Sequence, residues 1–243
     1  IGLLDAERRL TEARSQAIQD LATIRARLEG EVMTVFSATS GLAGVIAHQG
    51  AISQDLFEAL ARLAIKGSPQ IRNIGIAPDN IMAMIHPLEG NQQALGFHYD
   101  SIPEQYAAVR RAMVNKLPIF AGPHRLVQGG EGLVARVPVF TTAGMPADAE
   151  PRYWGIVSVV THIDMLLDRG AVRSTDILDI GLRKQEEDGL PGAVIRGSQD
   201  LFARQPVCMT VTVPGGQWQL GAVRKEGWPQ MKATDSPLFV IGL

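Results

Sequence analysis

The chain holds a single cysteine, Cys208, among 243 residues. No intrachain disulfide can form, so sulfur chemistry is silent about the compartment, and a lone thiol reads by default as buried and inert. Net charge is also nearly absent, at −2, which removes the electrostatic ground for nucleic acid or an anionic membrane surface as partner. No run reaches the roughly 20 apolar residues of a membrane helix, and no signal peptide is visible. Catalytic signatures are missing too. The five histidines (His48, His86, His98, His124, His162) make no HExxH and no helical metal pair. There is no G-x-S-x-G elbow and no G-x-x-x-x-G-K-[ST] phosphate loop. Neither a metal, a cofactor nor an enzymatic constellation is expected.

What is present is an ordinary globular composition, 46% apolar and 20% charged, with length enough to bury a real core. From Leu3 the apolar residues fall at Leu3, Ala6, Leu10, Ala13, Ala17, Leu21, Ile24 and Leu28, steps of three and four with one stutter. This narrow helical seam suits a partner helix, so the expectation is a stalk over residues 1–48 that pairs the chain into a homodimer, the alternative being an ordinary helix lying on its own domain. The ends look cut. The chain opens at Ile1 inside the helical pattern and stops in the apolar run Ser236–Leu243. Residues 233–243 are expected to begin a truncated second membrane span.

Ser53 is placed to cap a helix from Gln54, with Ile52 stapled on Phe57. IRNIGI and IMAMIH read as strands around the turn APDN, and Pro103-Glu104 opens the helix PEQYAAVRRAMVN. Strands are expected at Leu117–Phe120, Arg125–Gln128, Leu133–Phe140 and Tyr153–His162. A second, smaller unit follows with strands at Ala193–Arg196, Cys208–Val213 and Gln217–Val223, the last two joined by Pro214-Gly215-Gly216. The fold class is α+β, with antiparallel sheets. Gly129-Gly130-Glu131 imitates the turn at which diguanylate cyclases bind substrate, but Gly132 and Leu133 follow where an acid and an aromatic are needed. A strand-joining turn explains it.

The segment Ile71–Leu166 carries an ordered series: IRNIGIAPDNI, HPLEGN at His86–Asn91, LGFHY at Leu95–Tyr99, PEQ at Pro103–Gln105, GPHRLVQGGEGLVARVPVF at Gly122–Phe140, and Tyr153-Trp154-Gly155 with Ser158-Val159-Val160. In order and spacing this resembles the CHASE domain, an extracytoplasmic sensor module of histidine kinases and nucleotide cyclases that plant cytokinin receptors also carry. The resemblance implies two PAS-like units behind the long helix: a membrane-distal one at 49–168 that binds a small ligand, and a membrane-proximal one at 169–232. It implies a periplasmic, non-catalytic sensor whose ligand signal reaches the membrane helices. The rival reading is a ligand-free module that senses a periplasmic partner protein.

Two positions depart from the family. His98 stands where bacterial members have an acid, and neutral Gln105 stands where the cytokinin receptors have the acid that bonds adenine, which argues against cytokinin itself. The candidate ligand contacts are Phe97 and Tyr99 on one face of a strand, His98 on the other, Gln105 and Tyr106 on the covering helix, then Phe120, Ala121, Val127 and Arg136. Facing inward, Arg136 would be a costly buried charge that an anionic ligand could pair; facing outward, a surface residue. The ligand class is left at a carboxylate or a purine-like compound.

Overall fold

The computed structural model describes residues 2–230; the expected second membrane span, at 233–243, lies outside them. The described residues form two compact units, one of residues 29–169 with 212–216, the other of the remaining described residues.

Helix α1, Gly2–Ser37, is continuous. Within the second unit most of its seam is occupied. Ala6, Ala17, Leu21, Ile24 and Leu28 are buried, and Gly170 is packed so closely on Leu28 that an added Cβ would lie 2.9 Å from Leu28 Cδ1. Much of the seam is thus covered by this chain's own residues, which leaves Leu3, Leu10 and Ala13 as the part of it open to a partner helix. Leu3 of the seam is exposed and Leu10 and Ala13 are half-buried, while Leu4 and Ile18, off the seam, are exposed as well. The same unit holds a four-stranded sheet in the order β7-β6-β9-β8, with β6 Leu178–Gln185, β7 Pro191–Arg196, β8 Val207–Val213 and β9 Gly216–Arg224. Cys208 is exposed rather than buried, because the alternation along β8 turns Val207 and Val211 inward and Cys208 outward.

In the unit of residues 29–169, α1 ends at a turn where the Thr39 hydroxyl donates to Phe36 O (2.8 Å), and α2 (Ser40–Gln49) and α3 (Gln54–Gly67) follow. Ser53 Oγ caps α3 by accepting from Leu56 N, and Ile52 and Phe57 are both buried, as the staple requires. The helical run Leu3–Gln49 contains a stretch of mean hydropathy 1.3, long and apolar enough to cross a membrane. This differs from the expectation that no run suffices for a membrane helix, because a stretch need not be unbroken to be apolar on average; 33% of it is buried, including Val32, Val35, Phe36, Leu42 and Ile46, which serve the core.

Five antiparallel strands make the sheet of this unit, in the order β2-β1-β5-β4-β3: β1 Ile71–Pro78, β2 Met84–His86, β3 Ile119–Arg125, β4 Glu131–Thr141 and β5 Arg152–Thr161. Helix α4, Pro103–Asn115, covers β3 and β4 on one face, while α2 and the short α5, Ile163–Arg169, meet β4. The two strands expected at Leu117–Phe120 and Arg125–Gln128 are one, β3, whose register shifts between Ala121 and His124. Leu126–Gln128 therefore lie in the turn to β4. There Gly129 (φ 92°) and Gly130 (φ 76°) take the left-handed conformation that side chains disfavour. Phe97–Tyr99 is not a strand either: His98 makes an isolated bridge to Ile81, and a 3-10 turn, Tyr99–Ser101, follows.

Candidate functional site

The β-sheet register decides which side chains meet. Arg136 lies opposite Ser158, and Ser158 opposite Gly75, so Asn73, Val134, Arg136, Ser158 and Val160 share one face. Ile119 and Ala121 of β3 continue it. Tyr99, Val109 and Ala112 pack against this face together with Ala77, Met82, Ile119 and Ile156.

Arg136 faces inward and is 0% exposed. Nη2 donates to Gln105 Oε1 at 3.0 Å, and the guanidinium carbon sits 5.1 Å from the centre of the Tyr99 ring. Nε and Nη1 are buried with no acceptor, and among the described residues no carboxylate pairs with the group. Burial pushes its pKa down, opposed only by the Tyr99 hydroxyl. Around it the polar groups are held firmly. Gln105, at the third position of α4, donates from Nε2 to Arg125 O (3.3 Å), which turns its carbonyl toward Arg136. Tyr99 Oη and Ser158 Oγ share a buried hydrogen bond of 2.6 Å. Asn73 Nδ2 donates to Asn91 Oδ1 (3.1 Å), and Asn91 Nδ2 to Pro87 O (2.9 Å), tying β1 to the loop over the sheet.

Between sheet and cover is a cavity of about 30 Å³, room for roughly one water. Asn73, Tyr99, Gln105 and Ser158 supply its polar wall, Met82, Ile85, Phe97, Val134 and Val160 its apolar one, and Leu126–Gln128 close it.

The structure brings together Phe97, Tyr99, Gln105 and Val127 as cavity lining, with Arg136 hydrogen-bonded to Gln105 and set over the Tyr99 ring. Phe97 packs edge-on against Tyr99, ring centres 5.3 Å apart. Tyr106 and Ala121 are partly buried against the neighbouring core. Two candidates point elsewhere. Phe120 lies opposite Ala135 on the other face of the sheet, its ring 5.9 Å from that of Phe36. His98 is exposed, its Nδ1 4.0 Å from Asp100 Oδ1. Asn73 and Ser158 were not among the sequence candidates. Their signal was the one that marked Arg136, a polar residue set inside an apolar strand. Among the described residues no group of His, Cys, Asp and Glu could hold a metal ion.

The fold defined by this arrangement is that of extracellular ligand-binding domains of receptors. An extracellular ligand binding receptor from Desulfohalobium retbaense is similar over 85% of this chain, with a TM-score of 0.65 at 13% identity; this chain spans only 40% of that one. The ligand-binding domain of the Pseudomonas fluorescens chemoreceptor CtaA, solved with L-serine, is similar at a TM-score of 0.62 and 13% identity, covering 90% of this chain and 99% of its own. The extracellular domain of a protein described as a histidine kinase, rpHK1S-Z16, is similar at 0.56 and 13%, over 89% and 96%. A search of the curated proteins finds no match. The CHASE domain profile matches residues 53–190. The chain belongs to the CHASE domain family.

Proposed function

We propose that this chain is the periplasmic sensor of a transmembrane signalling receptor, and that a small molecule binds in the cavity under α4. The observation that carries the reading is the buried polar set of Arg136, Gln105, Tyr99 and Ser158 on an otherwise apolar face, with two guanidinium nitrogens left without acceptors. A fold rarely keeps such a group without use for it. The unit of residues 29–169 takes the ligand-binding, membrane-distal role and the other unit the membrane-proximal one. The signal leaves through β3: Ile119 lies opposite Arg136, and the adjacent Phe120 meets Phe36 at the end of α1. Such transmission works only if the ligand favours one conformation over another. A homodimer, if the receptor signals as one, uses surface other than the buried part of the α1 seam.

The small cavity favours a second reading, a module that senses a protein partner. A thermal-shift screen against amino acids, purines and small carboxylates separates the two. Amino acids come first, since the CtaA domain was solved with L-serine. A ligand at 100 times its dissociation constant adds about 2.7 kcal/mol. The sensor reading expects one class to raise the melting temperature; no shift from any class puts the protein partner ahead.

A further inference from the structure

Resting on that reading, we infer that the ligand carries one carboxylate, and that Arg136 is its counter-charge. Each of the two edges by which a guanidinium grips a carboxylate joins Nη2 to one other nitrogen, either Nε or Nη1. Gln105 takes one hydrogen of Nη2, which leaves the other hydrogen and the nitrogen beside it, and both other nitrogens lack an acceptor. One complete edge is therefore without an acceptor, which suits a planar two-oxygen group; Arg136 itself is not among the cavity's lining residues and touches that lining through Gln105 and Tyr99. Gln105, tied back to Arg125 O, keeps the guanidinium from rotating that edge away.

Charge bookkeeping selects the same ligand. The cavity lining contains no charged side chain, and among the described residues Arg136 is the cation that hydrogen-bonds to it, through Gln105. A buried guanidinium with no carboxylate is short by one negative charge, and a monocarboxylate supplies it. A doubly charged phosphate or sulfate would bring one charge too many into an apolar surround. The rest of the ligand is small, with an apolar side toward Met82, Ile85, Phe97, Val134 and Val160; the polar wall of Asn73, Tyr99, Gln105 and Ser158 faces the carboxylate side. The cavity of about 30 Å³ is closed by the Leu126–Gln128 turn, which is fastened by Leu126 N to Gly130 O and by Arg72 Nη1 to Gly129 O, so a ligand larger than a water needs that turn to shift.

The test is a thermal melt of the 243-residue chain with acetate, propionate and butyrate, each against its amide and against sulfate at equal ionic strength. The acids should raise the melting temperature by about a few degrees at saturation while amides and sulfate leave it unmoved. Arg136→Met should melt at or above the ligand-free wild type, since an unpaired buried charge is gone, and should lose the response to acids. Amides that stabilise as well as the acids would sink the counter-charge while leaving the sensor intact, and sulfate matching the acids would sink the carboxylate. Silence from acids, together with silence from the amino-acid and purine panel, would sink both readings. The acid–amide contrast is read on the wild type, so it decides even where Arg136→Met fails to fold. A folded Arg136→Met that keeps the response would also overturn the inference.

Discussion

Truncating Leu21 asks whether α1 belongs to its own chain or to a partner. Leu21 is 0% exposed within the single chain. Leu21→Ala removes three carbons, about 2.4 kcal/mol of transfer free energy at roughly 0.8 per methylene. The cavity left behind raises the loss to about 3–4 kcal/mol, inside the usual span for buried leucines. For a chain of this size each kcal/mol lowers the melting temperature by about 2–4 °C, so a drop of roughly 6–15 °C is expected. Ile18→Ala, at a residue 44% exposed on the same helix, should stay within about 0.5 kcal/mol. The assay is a circular-dichroism melt run beside sedimentation velocity at several protein concentrations. The stability loss should not depend on concentration. If Leu21→Ala instead turned a dimer into monomers with the melt unchanged, the burial argument would be refuted and the seam would face a second copy.

Tyr99→Phe should cost about 1–3 kcal/mol, because it leaves the Ser158 hydroxyl buried without its partner, and Ser158→Ala should cost a similar amount. Combined, they should cost clearly less than their sum, a coupling of about 0.5–3 kcal/mol by denaturant titration; strict additivity would mean the bond is not made. At Gly155 the backbone has φ 153° and an added Cβ would lie 2.2 Å from Ala77 O. Gly155→Ala should therefore split β1 from β5 and give little folded protein, whereas Gly144→Ala, at φ 72° in open space, should fold with a loss of about 1 kcal/mol. Equal expression and melting of the two would contradict the contact. Cys208 is exposed while partial burial holds its thiol above the usual pKa. It should react with a disulfide reagent in the folded state, slowly near neutral pH and faster as pH rises; labelling that needs denaturant would show it buried after all.

Local chemistry made α3 and α4 legible: Ser53 as cap and Pro103 with Glu104 at a helix start act through their own few neighbours. Arg136 shows where that kind of reading stops. Residues 132–136 of β4 are all buried, so both faces of the strand are covered and no polar alternation marks which way the arginine points. Its face follows from the register with β5 and from the helix above it, both set by residues far away in the chain. The α1 seam shows a different limit. Periodicity identifies a stripe that must be covered, and it carries nothing about whether the cover comes from the same chain. Phe97–Tyr99 missed for a third reason, since alternation cannot distinguish a strand from a bridge followed by a tight turn when both bring Phe97 against Tyr99. Leu178, Ile180 and Leu182 of β6 alternate as a strand should, but three apolar residues before the polar run of 183–188 are a weak signal.

The central claim is a ligand site under α4. Hydrogen–deuterium exchange with and without pooled amino acids, purines and monocarboxylates tests it most directly. The account predicts that one pool slows exchange in residues 92–106 and in the turn 126–130, and that subdividing the pool traces the effect to one compound. Protection confined to residues 170–224, or no protection from any pool at millimolar concentration, would contradict it.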